Sequence, residues 1–200
     1  MDLINLALEE KSWYLKENFL QDKLCNLISQ TFLEPTNSNL LSKSKIGRGP
    51  REKENDLIRN GLICWIDDWE ENLAIKQLNE VLCAMMHSLN SYFRLSLKRY
   101  ESQFSFYSKG GFYCRHLDQH QQTRHRQISC CLYLNDCPKG GELIIYKKDS
   151  IVVVDKIIKP KKGSMVIFIS GDIYHEVKLV STPRYSISTW FRDDKINSSI

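Results

Sequence analysis

An α+β fold is predicted, with helices first and then an antiparallel β-sandwich or jelly-roll barrel. Three observations predict it. Apolar residues recur at helical spacing only before residue 97. After it come short segments rich in β-branched and aromatic residues, at 98–108, 111–118, 126–135, 141–146, 151–158, 165–170, 173–180 and 184–191. Turn signals such as "KGG", "CPKGG", "PKKG" and "SGD" separate these segments, and eight short strands in succession suit a sandwich or barrel.

Taken in order, "MDLINLALEEKSW" begins acidic and has neither the basic region nor the small-residue cleavage site of an export signal. "FLQDKLCNLISQTFLE" predicts a helix with Asp22 as N-cap and Leu24, Leu27, Ile28 and Phe32 near helical spacing. From Pro35 to Glu54 the Ser, Asn, Lys and Gly content predicts a loop, and "DLIRNGLICWIDD" a short strand or hairpin arm. A longer helix is expected over 70–93, with Ile75, Leu78, Leu82, Met85 and Leu89 on one face. Its methionines, Met85 and Met86, fit core packing, and His87 a partly exposed position.

The strands alternate in a telling way. In "RQISCCLYLN", Ile128, Cys130, Leu132 and Leu134 share one face, with Gln127, Ser129, Cys131 and Tyr133 on the other. In "RYSISTWF", Tyr185, Ile187 and Phe191 oppose Arg184, Ser186, Ser188 and Trp190. An apolar face backed by a polar but weakly charged one fits a barrel enclosing a small polar ligand. The expected division is a helical and strand support over 1–96, a core over 97–192 and a tail over 193–200.

Composition excludes several classes. The net charge of +4 over 200 residues is mild, and the dense basic run "KSKIGRGPREK" at 43–53 fits a solvated loop, so no nucleic-acid partner is expected. No apolar stretch approaches the ~18 residues of a membrane span. Seven cysteines, two of them adjacent at Cys130 and Cys131, do not form a secreted disulfide framework. Reduced thiols in the cytoplasm are the expectation.

"CRHLDQHQQTRH" carries the chemistry. His116 and Asp118, two apart, leave one face of a strand, and His175 in "GDIYHEV" follows 57 residues after Asp118. Two histidines and a carboxylate on one side of a metal leave three positions open, the arrangement of non-haem Fe(II) oxygenases. A structural zinc site drawn from His116, His120 and His125 with Cys114, Cys130, Cys131 and Cys137 is the rival. No Cys-x-x-Cys pair exists, and His120 and His125 belong to a polar loop. Arg184, nine residues after His175, is expected to face the interior and needs an anion there. A salt bridge to Glu142 or Asp172 would serve; beside an iron triad, the distal carboxylate of 2-oxoglutarate is the more specific partner.

The order His-x-Asp, distant His, then Arg nine residues later resembles the 2-oxoglutarate- and Fe(II)-dependent dioxygenases of the prolyl 4-hydroxylase superfamily. "YSKGGFYCRHLD", "CCLYLND", "GGELIIY" and "HEVKLVSTPRYSISTWF" carry the resemblance over 97–192. It is strongest to the hypoxia-sensing prolyl hydroxylases and to bacterial relatives that hydroxylate elongation factor Tu. "IGRGPREKENDLIRNGLICWID" is similar to the segment, here about 35–68, that closes over their peptide substrate.

The resemblance implies a double-stranded β-helix core. It implies His116, Asp118 and His175 as iron ligands, and Arg184 as the grip on the 2-oxoglutarate C5 carboxylate. Tyr133, Tyr107 and Ser186 would complete the co-substrate site, and Arg126, Trp190 and Arg59 would contact substrate. Fe(II), 2-oxoglutarate and ascorbate as reductant are the implied cofactors. The implied reaction is hydroxylation of a prolyl residue in a protein such as elongation factor Tu, with succinate and CO2 as co-products. A hydroxylase of a small molecule such as a free amino acid, and a non-catalytic metal-holding module, are the alternatives. Where the family often has Ile-Arg-Gly-Asp, this chain reads Ile58, Arg59, Asn60, Gly61, so the loop acid is missing.

Overall fold

Residues 2–34, 40–46, 53–66, 72–121 and 123–195 are described in the computed structural model. The chain opens with α1 (Asp2–Lys11) and β1 (Trp13–Lys16), followed by α2 (Asp22–Leu33). Four two-residue strands come next: β2 (Ser42–Lys43), β3 (Lys45–Ile46), β4 (Lys53–Glu54) and β5 (Arg59–Asn60). β6 (Leu62–Trp65) then leads into the long helix α3 (Leu73–Phe93). The remaining strands are β7 (Arg99–Tyr107), β8 (Phe112–His116), β9 (Arg126–Tyr133), β10 (Leu143–Tyr146), β11 (Val154–Ile158), β12 (Met165–Ile169), β13 (His175–Val177) and β14 (Arg184–Arg192). Each of the eight predicted segments therefore holds one strand.

Two antiparallel sheets face each other, one of seven strands in the order β1-β12-β9-β14-β7-β6-β2, the other of five in the order β11-β10-β13-β8-β5. Strand alternation divides the larger sheet's side chains between two cores. Phe104, Ile128, Cys130, Leu132, Ile167, Ile187 and Phe191 pack outward under the helices. Cys131, Tyr133, Val166 and Phe168 point the other way and meet Leu143, Ile145 and Val177 of the smaller sheet. The site lies in this second layer.

The predicted face of α3 is buried: Ile75, Leu78, Leu82, Met85 and Leu89 are each no more than 2% exposed. Asn72 caps it, its Oδ1 accepting from Ala74 N at 3.0 Å and Ile75 N at 3.1 Å. Asn72→Ala is expected to lower stability by about 1 kcal/mol and the melting temperature by roughly 2–4 °C. A calorimetric scan that shows no shift would remove the cap from the account.

Asp22 is a correction. Gln21 occupies the N-cap of α2 and makes no side-chain cap bond, so Asp22 is the first helical residue. Its charge faces the helix N-terminus there instead of capping it. α1 and β1 stand outside the sequence expectations, because Leu3 and Leu6 face solvent beside the buried Ile4 and Leu8 and blur the period.

The N-terminal segment does more than support the core. β6 pairs with β7 and β2 with β6 in the larger sheet, while β5 pairs with β8 in the smaller one. The expected loop over 35–54 and the mobile segment over about 35–68 fall partly on 35–39, 47–52 and 67–68, outside the described residues; the described parts include these sheet-edge strands. Among the described residues no helix is long and apolar enough to cross a membrane.

Candidate active site

His116 ends β8, Asp118 lies just beyond it, and His175 opens β13, directly opposite His116 in the ladder. Their ligand atoms lie within 4.8 Å of one another. His116 Nε2 is 3.5 Å from Asp118 Oδ1, and His175 Nε2 is 3.7 Å from Asp118 Oδ2. Each ring is held by its other nitrogen. His116 Nδ1 donates to Cys114 O at 2.8 Å and His175 Nδ1 to Ile173 O at 3.1 Å, since a carbonyl only accepts. Both Nε2 lone pairs are thereby turned toward the carboxylate, the orientation that metal-binding histidines need.

Electrostatics suits a cation. Burial pushes His175 down to about 4, with neighbouring His116 adding to the effect, so the ring is neutral near pH 7. Burial would raise the Asp118 carboxyl, but His175 and His116 beside it outweigh burial and hold it well below the usual carboxylate range. Two imidazoles and one carboxylate are a donor set for a divalent transition metal. Tyr113 stacks on His116 with ring centroids 3.6 Å apart. Its position escapes simple alternation because the β8–β13 register slips between Val177↔Tyr113 and His175↔His116, and the bulge puts residues three apart on one inner face.

A cavity of about 140 Å³ lies between the sheets, with this cluster in its wall. At the ~30 Å³ that a water takes in the liquid, that is room for about five waters. Arg184, on β14, supplies a cation to the opposing sheet and is 2% exposed. Its Nη1 donates to Ser186 Oγ at 3.0 Å, and its Nη2 lies 3.8 Å from Cys131 Sγ. The rings of Tyr133 and Tyr107 lie 5.0 and 5.5 Å from its guanidinium carbon. No carboxylate pairs with it among the described residues; Asp172, the sequence alternative, instead takes Ser12 and Lys148.

Arg184 Nε and the Tyr133 hydroxyl are buried without hydrogen-bond partners. Burial pushes the Tyr133 phenol up, which keeps it a neutral donor. Gly141, at φ +71°, makes room: a Cβ there would lie 3.2 Å from Arg184 Cδ. Unmatched donors and a buried guanidinium fit a small dicarboxylate.

The other sequence candidates also find places. Arg126 and Trp190 line the cavity, but Arg126 is a buried ion-pair member and not a solvated charge: its Nε donates to Glu101 Oε1 at 2.7 Å. Its guanidinium lies 3.9 Å over Trp190, and Arg192 also reaches Glu101, at 3.0 Å. Glu101 and Tyr113 are site residues absent from the sequence reading. Arg59, on β5, lines the cavity and donates from Nε to the Tyr107 hydroxyl at 3.2 Å. The missing loop acid has a steric account. A Cβ at Gly61 would lie 2.8 Å from Tyr107 Cε1, so a larger residue there displaces that ring.

The zinc alternative does not assemble. Among the described residues the two clusters able to hold a metal are His116–Asp118–His175 and His125–Asp193–Asp194, and neither contains cysteine. In the second, Asp194 is clamped by Arg192 and Arg99, and Asp193 pairs with His125. His120 is exposed.

Comparison with known proteins identifies the core. Residues 102–192 match the model of the 2OG-Fe(II) oxygenase superfamily, 2OG being 2-oxoglutarate. The chain carries a 2OG-Fe(II) oxygenase domain. Fe(II) and 2-oxoglutarate are therefore its cofactor and co-substrate, and the His-Asp-His cluster is its candidate iron site. Among solved structures, a Pseudomonas putida prolyl-4-hydroxylase superposes with a TM-score of 0.83 at 26% identity, covering 96% of this chain and 98% of that one. A Trichoplax adhaerens prolyl hydroxylase, in complex with a hypoxia inducible factor oxygen degradation domain peptide fragment, shares the fold with a TM-score of 0.84. It is 24% identical, over 96% of this chain and 88% of that one. Prolyl 3-hydroxylase 2 of Rattus norvegicus and of Homo sapiens is 40% identical over 73 residues, 36% of this chain. The match spans only 10% of those curated relatives.

Proposed function

We propose that this oxygenase domain hydroxylates a prolyl residue of a protein substrate, forming succinate and CO2 from 2-oxoglutarate. The observation that carries the reading is Arg184, a buried guanidinium with no carboxylate partner among the described residues, in the wall of a cavity that also holds His116, Asp118 and His175. The two facing sheets are then a double-stranded β-helix over 97–192, carried on a support over 1–96; of the expected tail over 193–200, residues 196–200 lie outside the described residues. The fold's use by a peptide-bound prolyl hydroxylase supports a peptide substrate. Seven free thiols support a cytoplasmic location.

His116, Asp118 and His175 hold the iron, which when bound supplies the activation of O2. Arg184, with Tyr133 and Ser186, takes the distal carboxylate of 2-oxoglutarate, the guanidinium by paired bonds and the hydroxyls by single ones. Tyr107, whose hydroxyl is already set by Arg59, closes that end of the cavity. Trp190 and Trp65, ring centroids 5.9 Å apart, add flat apolar surface for the substrate. Ascorbate is the reductant that would keep the iron in its ferrous state.

The test is incubation of the protein with lysate, Fe(II), 2-oxoglutarate and O2, with elongation factor Tu assayed alongside. A proline heavier by one oxygen in a tryptic peptide supports the reading. Untouched proteins beside an oxygenated free amino acid would replace it with a small-molecule hydroxylase. Bound iron with no succinate formed would leave only a metal-holding module.

Acid should release the metal. His175 binds metal only when neutral, and its lowered pKa of about 4 keeps it so well below the ordinary histidine value of ~6.5. Bound iron, measured after gel filtration at stepped pH, is expected to fall steeply as pH approaches 4. An iron-retention profile unchanged in His175→Ala would exclude His175 as a ligand.

A further inference from the structure

Three guanidinium groups and no lysine line the cavity among the described residues: Arg59, Arg126 and Arg184. Their charges are matched differently. Arg126 is neutralised within the protein by Glu101, which is 3% exposed and meets it at 2.6 Å. Arg184 is matched by the co-substrate under the function proposed above. Arg59 has neither.

Arg59 is 7% exposed, so its charge is largely removed from water. The nearest acid in the cavity wall is Asp118, which the iron takes. Its neighbours are neutral phenols: Nε donates to the Tyr107 hydroxyl, and the guanidinium lies 4.6 Å over the Tyr113 ring. Neither supplies a negative charge. Its terminal nitrogens make no hydrogen bond among the described residues, yet they are not among the sealed, partnerless atoms, so they face the cavity. A buried guanidinium is stable only beside an anion, and its planar fork matches a carboxylate.

Its place gives the anion's role. Tyr113 lies between Arg59 and the His116 ring, so Arg59 is one aromatic ring away from the metal cluster. β5 hangs on the outer edge of the five-stranded sheet, and Arg59 reaches from it to Tyr107 of β7 in the other sheet. A carboxylate on Arg59 would therefore be held beside the reacting centre by the N-terminal segment.

We infer that Arg59 anchors a carboxylate of the substrate, supplied by an aspartate or glutamate flanking the target residue. This rests on the hydroxylase reading and narrows it to acidic substrates. Arg126, paired with Glu101, contributes a flat surface with Trp190 rather than a vacant charge.

The test uses two sets of N-acetylated, C-amidated peptides with one central proline. Flanking positions are drawn from Asp and Glu in one set and from Asn and Gln in the other. Binding to the protein loaded with Fe(II) and 2-oxoglutarate without O2 is measured by calorimetry, and oxygenation in air by mass spectrometry. The wild type is expected to bind the acidic set at least about tenfold tighter, the scale of a lost charge-assisted hydrogen bond. Arg59→Gln should erase that preference and Arg59→Lys should restore part of it. The peptide comparison needs no variant, so a poorly folding Arg59→Gln leaves it decisive.

Uncapped small acids, including free proline, form a third arm. Binding confined to them and lost in Arg59→Gln keeps the carboxylate anchor but assigns it to a small molecule. Equal binding of both peptide sets, or no binding by any carboxylate-bearing probe, overturns the inference. Failure of the hydroxylase reading itself is separately visible, as absent succinate formation by the wild type.

Discussion

Alanine at His175 is expected to abolish iron-dependent succinate formation, by more than about a hundredfold, with the same result for His116→Ala and Asp118→Ala. Loss of partners that merely orient a metal ligand costs 10–100-fold, and loss of a ligand exceeds that. The geometry makes each of the three indispensable. His116 and His175 face each other across one ladder position, and Asp118 reaches both, so any pair alone leaves the metal with two donors. Iron content by atomic absorption should fall together with turnover. His120→Ala and His125→Ala are the controls. His125 pairs with Asp193 at a half-buried position, and its removal costs no more than about 1 kcal/mol. Iron lost from these controls and kept in the three cluster variants would move the metal elsewhere.

The cluster was legible in the sequence for a specific reason. With five histidines in 200 residues, a His-x-Asp on one predicted strand and an isolated histidine on a late strand leave few combinations. Strand alternation also worked where strands are long. β9 and β14, eight and nine residues, divide their side chains as expected between the helix-facing core and the cavity wall. It failed where strands are short or irregular. β2 and β5, at two residues each, show no period, so their entry into both sheets had no signature. The bulge in the β8–β13 pairing hid Tyr113.

Partners remote in sequence were equally invisible. Glu101 meets Arg126 across 25 positions and Arg192 across 91, and only the antiparallel placement of β14 between β7 and β9 in one sheet reveals the pairing. Arg126 is a substrate contact in the sequence reading, and the structure adds that its charge is already matched inside the protein. Burying an ion pair in this way adds little net stability, but removing Glu101 would strand the Arg126 guanidinium, at a cost of about 3–5 kcal/mol, while Arg192 would keep Asp194.

Arg184→Lys should raise the 2-oxoglutarate concentration needed for half-maximal turnover roughly tenfold to a hundredfold, with iron content unchanged. Lysine keeps the positive charge but not the planar fork, so one of two paired bonds to the carboxylate is lost, worth about 1.5–3 kcal/mol. Iron should stay because Arg184 lies on β14 in the seven-stranded sheet, whereas His116 and His175 belong to the five-stranded one. The fold should tolerate the change as well. Arg184 has no carboxylate partner among the described residues, so no buried acid is orphaned by it. Tyr133→Phe, which removes one neutral donor, should have a smaller effect of about 0.5–1.5 kcal/mol. Succinate formation against 2-oxoglutarate concentration, with iron assayed in the same samples, separates the two contributions. An Arg184→Lys variant with unaltered 2-oxoglutarate dependence but a lowered melting temperature would make Arg184 a structural cation and leave the co-substrate's distal carboxylate without its anchor.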